Sequence, residues 1–262
     1  MVLVIDVGNT NIVFGLYDGD RLFSTWRMAT ENTKTTDELG VVMHSFFEDE
    51  GKDIKSVEGV IIGCVVPTIM YSLAHSIRKY IGIEPMIVSS DLELDLVIER
   101  DDPKTAGADR IVDLVAAKEL YGVPAIVIDY GTANTFDVVN EKGEFTTGFI
   151  TAGIKSCAEV FSQKSSQLPN VELEAPKSFI AKDTITSLQI GIVAGRIGET
   201  IQIIETLKSE LNIPNAKVIA TGGLARIIDP YGEIFDVCDQ TLTLSGLKII
   251  YEKNKGKVKQ WK

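Results

Sequence analysis

Apolar and polar positions alternate with two different periods along the chain, and together they predict an α/β protein. Residues 3–30 (LVIDVGNTNIVFGLYDGDRLFSTWRMAT) predict three strands, with a hairpin signal at Asp18-Gly19-Asp20 between apolar runs. Residues 36–47 have the spacing of a helix that Thr36 or Asp37 can cap. The other elements predicted in this half are a buried strand at 59–66, a helix around 69–80 and an apolar segment at 86–89.

The second half of the chain repeats this order of elements. It predicts strands at 125–129, 135–139, 147–152 and 217–221, a turn at 140–143, and helices at 154–165 and 187–208. Three strands followed by a helix and a strand, twice over, indicate two related α/β domains. We therefore expect one domain at residues 1–120 and a second at residues 121–262. The basic residues 253–262 are expected to be a solvated end.

One short sequence occurs in both halves, as LVIDVGNTN at residues 3–11 and IVIDYGTAN at residues 126–134. The offset of 129 − 6 = 123 residues aligns Asp6 with Asp129, Gly8 with Gly131, Asn9 with Thr132 and Asn11 with Asn134. An aspartate that ends a buried strand before a glycine places a carboxylate beside a tight turn with N–H groups. One copy alone favours an Asx turn, in which the carboxylate accepts from local N–H groups. Two copies favour a nucleotide site.

The residues after Asp6 fit phosphate oxygens, because Asn9, Thr10 and Asn11 supply donors and Gly8 lets the backbone approach a ligand. A carboxylate cannot bind phosphate directly, so Asp6 is expected to act through Mg²⁺ and its waters. The chain has no GxxxxGK[ST] sequence and no GxGxxG after a strand, which excludes a P-loop enzyme and an ordinary dinucleotide fold. Residues 221–223 (TGG) fit a simple loop and a passage beneath a base or ribose equally well.

Composition narrows the class of protein and of partner. The 262 residues carry a net charge of −11, which argues against a nucleic-acid partner because such a partner needs a basic face. No apolar run is long enough to cross a bilayer, and the first residues lack the pattern of a signal peptide, so we expect no membrane partner and a cytoplasmic protein. The three cysteines, Cys64, Cys157 and Cys238, are far apart and indicate free thiols.

A helix predicted after residue 107 carries two charged side chains in its first turn. Its apolar positions share one face and are Ile111, Leu114, Val115 and Leu120. The local pattern favours Asp109 as an acid that stabilises the helix dipole and Arg110 as a surface charge. The alternative is that Asp109 accepts the proton of a substrate hydroxyl and that the Arg110 fork binds a substrate anion.

Nine segments, in order along nearly the whole chain, match the motifs of one known family. They are residues 6–11, 26–40, 64–67, 107–110, 121–137, 168–173, 183–191, 221–225 and 242–247. In these segments the chain resembles the type III pantothenate kinases, which belong to the acetate and sugar kinase/Hsp70/actin superfamily. The resemblance implies an α/β fold of two duplicated RNase H-like domains.

The resemblance also implies a reaction, which is ATP-dependent phosphorylation of pantothenate to 4′-phosphopantothenate, the first step of coenzyme A biosynthesis. It implies ATP with Mg²⁺ and a monovalent cation, K⁺ or NH₄⁺, and a homodimer in which the partner chain completes each pantothenate pocket. The implied first phosphate motif, facing the second across a cleft, is Asp6, Val7, Gly8, Asn9, Thr10, Asn11, Ile12 and Val13. In the second half, the resemblance implies that Thr132 contacts phosphate and that Asp129 binds the monovalent cation. The implied pantothenate residues are Gly107, Ala108, Asp109 and Arg110, with Asp109 as proton acceptor. Thr184 is implied as a further substrate contact.

Three positions depart from the family pattern near the expected substrate pocket. Arg100 replaces an aromatic residue, Thr147 a glycine and Ala152 a proline. Arg100 and Ala152 keep open the alternative of a kinase of another small hydroxylated metabolite. The resemblance also leaves open a nucleotide-binding regulator without kinase activity, because relatives are described as transcriptional accessory factors, although the retained Asp6, Asp109 and Asp129 argue against it. Sequence support for the homodimer is one apolar stripe, which fits packing within its own domain equally well. That stripe consists of Ile190, Val193, Ile197, Ile201 and Ile204.

Overall fold

A computed structural model describes residues 1–99, 106–164 and 168–257. The described residues form two compact units. The first unit contains residues 1–95, 106–116 and 243–257, and the second contains residues 96–99, 117–164 and 168–242. The sequence-based division between residues 120 and 121 differs from these units, because residues 243–257 belong to the first unit and residues 96–99 and 117–120 to the second.

Strands and helices alternate in both units. In chain order the strands are β1 (Val2–Val7), β2 (Asn11–Asp18), β3 (Arg21–Ala29), β4 (Gly59–Cys64), β5 (Met86–Ile87), β6 (Val97–Ile98), β7 (Ala125–Tyr130), β8 (Ala133–Val139), β9 (Glu144–Ala152), β10 (Lys217–Thr221) and β11 (Val237–Cys238). The α-helices are α1 (Thr36–Asp49), α2 (Pro67–Ser76), α3 (Ala108–Tyr121), α4 (Ile154–Lys164), α5 (Thr184–Glu210), α6 (Ala225–Ile228) and α7 (Leu242–Asn254). A π-helical turn at Ile77–Ile81 follows α2.

The two sheets share one strand topology. The order is β3-β2-β1-β4-β5 in the first sheet and, read from its β6 edge, β6-β9-β8-β7-β10-β11 in the second. The central strand of each sheet, β1 or β7, is antiparallel to the next strand and parallel to β4 or β10. This topology confirms the predicted mixed α/β fold, and it places both copies of the repeated sequence at the end of a central strand.

Helix α1 packs its apolar face on the first sheet. Leu39, Met43 and Phe47 are buried in a core that also contains Phe14 of β2. The helix begins with a capping box in which the Thr35 hydroxyl accepts from the Glu38 N–H and the Glu38 carboxylate accepts from the Thr35 N–H. Thr35 is therefore the N-cap, and the predicted caps Thr36 and Asp37 lie inside the first turn.

Helix α5 spans 27 residues, and part of its apolar stripe lies in the core of the second unit. It begins at residue 184, three residues earlier than predicted. Val193 and Ile204 are buried beneath the helix, whereas Ile201 is 39% exposed. The buried Tyr130 hydroxyl lies 2.8 Å from the Thr200 hydroxyl, which fixes the helix on β7. Among the described residues, no helix is long and apolar enough to span a bilayer.

Helix α7 packs in the first unit and was not predicted from the sequence. Asn254 at its end is fully buried, and its side-chain amide bonds both the N–H and the carbonyl of Glu93 at 2.9 Å. The expectation of a solvated end was therefore wrong for Asn254, whose buried amide pairs with backbone groups, whereas Lys255 and Gly256 are exposed as expected. Residues 258–262 of that prediction lie outside the described residues.

Candidate active site

The first copy of the repeated sequence forms the turn between β1 and β2. The Gly8 N–H donates to the Asn11 carbonyl at 3.0 Å. Thr30, just after β3, donates its hydroxyl to the Gly8 carbonyl at 2.7 Å and its N–H to the Thr10 carbonyl at 3.0 Å. The turn is thus held from two sides in one shape, with the Asn9 side chain exposed beside it.

The half-buried Asp6 projects from the face of the first sheet that α3 and α7 cover. Its partner in β4 is Gly63, and side chains at paired positions of neighbouring strands point to the same face. A Cβ atom on Gly63 would lie 3.1 Å from the Leu247 side chain of α7 and 3.9 Å from the Val112 side chain of α3. Within the first unit, the Asp6 carboxylate and the first turns of α3 therefore belong to one region.

The negative charge of the Asp6 carboxylate also affects the pKa of the Cys64 thiol at the end of β4. Burial raises the pKa of Cys64, the Val66 N–H opposes the rise, and the negative charge of Asp6 adds to it. The thiol is held in place by the Val66 backbone, with a 3.2 Å contact from its N–H. Cys64 is therefore a protonated neighbour of the first motif at neutral pH.

The first turn of α3 carries residues 107–110 in a fixed arrangement. One carboxylate oxygen of Asp109 accepts from the Arg110 N–H at 2.8 Å, and the Ile111 N–H donates to the Gly107 carbonyl at 3.1 Å. A Cβ atom on Gly107 would lie only 2.5 Å from the Asp109 carboxylate. Arg110 is 7% exposed, so the interpretation of Arg110 as a surface charge is wrong. Ala108 is half-buried between them.

The second copy of the repeated sequence forms a turn that is one residue shorter. Val7 pairs with Ile12 across the first turn, whereas Tyr130 pairs with Asn134 across the second. Asn134 therefore occupies the position of Ile12, and its alignment with Asn11 was wrong. Asn134 is fully buried, and its amide has no hydrogen-bond partner among the described residues.

Two glycines from other segments lie so close to this second turn that neither position has room for a side chain. Gly222 has a φ of +87°, and a Cβ atom there would clash with the Asp129 carboxylate and lie 2.5 Å from the Tyr130 carbonyl oxygen. A Cβ atom on Gly153 would clash with the Thr132 carbonyl, which also accepts from the Ser156 hydroxyl at 3.0 Å. The Asp129 carboxylate and the Tyr130 carbonyl oxygen thus both lie against the backbone of Gly222.

The remaining predicted residues that the structure describes belong to the second unit. Thr184 is exposed at the start of α5, where the Asp183 carboxylate caps the helix and accepts from the Thr186 N–H at 2.9 Å, which lowers the pKa of Asp183. Ala152 pairs with Ala133 beside the turn, and Thr147 pairs with Val138. Arg100 lies outside the described residues. The described residues contain no group of three or more His, Cys, Asp and Glu side chains that could hold a metal ion.

Comparison with known proteins identifies the family. A model of the type III pantothenate kinases matches residues 2–206. The chain belongs to the type III pantothenate kinase family. A family member from Halalkalibacterium halodurans is 43% identical over 254 residues, which cover 97% of this chain and 100% of that protein. Another from Agathobacter rectalis is 43% identical over 257 residues, covering 98% of this chain and 99% of that protein.

Solved structures of low sequence identity share the fold. A Campylobacter jejuni protein named for the Baf family of transcriptional activators has a TM-score of 0.59 at 20% identity, with 97% of this chain and 99% of that one covered. MreB 5 of Spiroplasma citri, bound to AMPPNP, has a TM-score of 0.55 at 11% identity, with 98% and 97% covered. The fold is therefore of the actin/Hsp70/sugar kinase type.

Sequence reasoning missed several residues that shape these two regions. Gly153 and Gly222 approach the second turn from distant segments, and no local pattern distinguishes such a glycine from one in a loop. Asn134 was identified as part of the repeated sequence, but its burial was not predicted. An alignment of the two copies without a gap cannot show that the second turn is one residue shorter. The TGG sequence at residues 221–223 was the one available signal for Gly222.

Adding one methyl group at Gly107 is expected to displace the Asp109 carboxylate. In Gly107→Ala the new Cβ atom meets the end of a short side chain, so the fold survives and the carboxylate rotates away. If Asp109 contacts the substrate, as the resemblance implies, we expect a fall in kinase activity of about 10- to 100-fold, the usual effect of a misplaced group, with an unchanged melting temperature. Gly256→Ala is the matched control, because a Cβ atom there meets no atom within 4 Å. Full activity of Gly107→Ala would contradict this role of the glycine.

Proposed function

We propose that this chain transfers the γ-phosphoryl group of ATP to the 4′-hydroxyl of pantothenate, the first step of coenzyme A biosynthesis, in the cytoplasm. The observation that carries the proposal is near-complete coverage of two type III pantothenate kinases at 43% identity. Phosphoryl transfer needs positioning and neutralisation of charge more than covalent chemistry by the protein. The two turns and the first turn of α3 offer such positioning.

Asp109 is the proposed acceptor of the hydroxyl proton, and Arg110 is the proposed ligand of the pantothenate carboxylate. Two features of the first unit support these roles. Asp109 is half-buried, so a substrate can reach its carboxylate, and Arg110 is buried, so its planar fork is held in a limited space. In this reaction the proton would pass from the 4′-hydroxyl to Asp109 as the oxygen attacks the γ-phosphorus, while the bond from that phosphorus to the oxygen of the β-phosphate breaks and ADP leaves. Gly107 and Ala108 would line the same substrate, with Thr184 as a further contact.

Residues 6–13 and Thr132 are the proposed contacts of the ATP phosphates. The N–H groups and the exposed Asn9 amide at the first turn suit phosphate oxygens. Magnesium fits the lone Asp6 carboxylate, because protein-bound Mg²⁺ usually takes one or two carboxylates together with phosphates and waters. When bound, Mg²⁺ supplies neutralisation of the phosphate charge.

The proposed function is tested by ADP release over a panel of small hydroxylated compounds that includes pantothenate. Turnover with pantothenate alone supports it. Turnover with another compound supports the alternative kinase, in which Thr147 and Ala152 change the substrate, and no turnover supports a nucleotide-binding regulator. Mass spectrometry of the product shows whether phosphate has been added to pantothenate.

Replacing Asp109 by asparagine is expected to abolish most turnover and to preserve ATP binding. Asparagine keeps the size of the side chain and its hydrogen bond to the Arg110 N–H, but it cannot accept the proton. We expect kcat to fall by about 10²- to 10⁴-fold, the usual contribution of a general base. Titration calorimetry with ATP is the control for an intact nucleotide site. Turnover near that of the wild type would remove Asp109 from this role.

The rate is expected to depend on K⁺ or NH₄⁺ as well as Mg²⁺, with Asp129 as the proposed ligand. A single carboxylate among carbonyl oxygens, such as the Tyr130 carbonyl beside Gly222, suits a large and weakly hydrated ion. Such a cation would supply positive charge beside the phosphates. Activity is measured against K⁺ at fixed ionic strength, with Na⁺ or tetramethylammonium as replacement, and Asp129→Asn should weaken the dependence. A flat response would show that Asp129 only holds its turn.

A homodimer is proposed through exposed apolar groups of the second unit. Phe179 and Ile180 are 76% and 75% exposed. A cavity of about 520 Å³ also opens between α4 and α5, with Phe161 in its wall. Exposed apolar side chains are common in protein interfaces when they form a contiguous surface.

Phe161→Glu is expected to give a monomer that has lost activity with pantothenate, because a charge in that wall opposes burial. The matched control is Tyr231→Glu, at an 80% exposed aromatic residue outside that wall. Light scattering and specific activity are measured on the same samples. A wild-type monomer with full activity would contradict a pocket shared between chains.

A further inference from the structure

Thr30, the first residue after β3, holds two carbonyl groups of the first turn. Its hydroxyl donates to the Gly8 carbonyl at 2.7 Å, and its N–H donates to the Thr10 carbonyl at 3.0 Å. The last paired position of β2 and β3 is Asn11 with Ala29, so Thr30 lies just beyond the regular ladder. The bond to Gly8 is therefore a property of this side chain, and a residue without a hydroxyl there would lose it.

The bond to the Gly8 carbonyl fixes the direction of the next N–H group. The peptide bond between Gly8 and Asn9 is trans and planar, so its C=O and N–H groups point in opposite directions. Because the carbonyl is turned towards Thr30, the Asn9 N–H points away from Thr30, and Asn9 is exposed to a ligand. Gly8 is only half-buried, so water could also satisfy its carbonyl. What the Thr30 hydroxyl adds is one fixed orientation of this peptide group.

The second unit holds its turn from the equivalent place in its sheet. Strand β9 pairs with β8 as β3 pairs with β2, and the residue that follows β9 is Gly153, at the offset of 153 − 30 = 123 residues that relates the two copies. A Cβ atom on Gly153 would clash with the Thr132 carbonyl. The hydroxyl comes instead from Ser156, three residues later, which donates to that carbonyl at 3.0 Å. Each turn thus has one carbonyl held by a hydroxyl from the segment after the third strand.

We infer that Thr30 and Ser156 are positioning residues of the two turns, an assignment that rests on the proposed contacts between these turns and the ATP phosphates. N–H groups of a turn bind an anion when they point towards it together. The Thr30 hydroxyl directs the Asn9 N–H towards the phosphates, and the Ser156 hydroxyl fixes the backbone of the exposed Thr132. Neither hydroxyl contacts pantothenate in this assignment, so both residues set the affinity for the nucleotide.

The test compares Thr30→Val, which keeps the shape of the side chain, with Thr30→Ser, which keeps the hydroxyl. We expect Thr30→Val to raise the Kd for ATP about tenfold in titration calorimetry, the factor of one lost hydrogen bond to a charged group. Thr30→Ser should restore the Kd for ATP, and the KM for pantothenate should not change in either variant. Ser76→Ala is the matched control, because it removes a buried hydroxyl that donates to the Leu73 carbonyl at 2.8 Å within α2. It should leave the Kd for ATP unchanged.

Ser156→Ala tests the second turn independently and should also raise the Kd for ATP, and an unchanged Kd would remove Ser156 from this role. If Thr30→Val does not fold, Thr30→Ala removes the same hydroxyl. A lowered melting temperature with an unchanged Kd for ATP would overturn the inference for Thr30, as would equal rises in the KM for ATP and for pantothenate. A wild-type protein inactive on pantothenate would overturn the proposed function alone, because calorimetry with ATP needs no second substrate and still decides this inference.

Discussion

The close packing that a glycine permits beside the aspartate at the end of each central strand is the constraint on which the site depends. In the first unit, Asp6 is paired with Gly63, and the absence of a side chain there leaves room for Leu247 and Val112. In the second unit, Gly222 lies directly against Asp129. A side chain at Gly222 would displace the Asp129 carboxylate, and one at Gly63 would meet the Leu247 side chain of α7. The same fold element, used twice, thus leaves one aspartate beneath helices and the other against the backbone of Gly222.

Segments far apart in the chain build the part of the first unit that carries Asp109 and Arg110. Helix α3 presents Asp109 and Arg110, and its position is set by α7, more than 120 residues later, through Gly246 and Thr243. The buried Asn254 at the end of α7 fixes the backbone at Glu93, in the segment before β6. The packing of α7 therefore holds both α3 and the segment before β6 in place.

Much of the fold could be predicted from the sequence because local patterns of apolar and turn residues determine most of its strands and helices. The apolar strands and the repeated Asp-x-Gly turn predicted two related sheets, and the strand orders match. The burial of Arg110 could not be predicted, since a first-turn arginine has the same local pattern on a surface as in a core. Helix α7 was missed because its polar residues, such as Asn254, find their partners only in the folded chain. The shorter second turn was missed because a deletion of one residue does not disturb the apolar pattern on either side.

Two equivalent aspartates are proposed to serve different cations, Asp6 with Mg²⁺ and Asp129 with a monovalent ion. The decisive measurement is titration calorimetry of ATP with Asp6→Asn and Asp129→Asn, each with and without Mg²⁺ and K⁺. Asp6→Asn should lose the gain in ATP affinity due to Mg²⁺ and keep the gain due to K⁺. Asp129→Asn should show the reverse. Equal responses of the two variants to both ions would exclude this division between the aspartates.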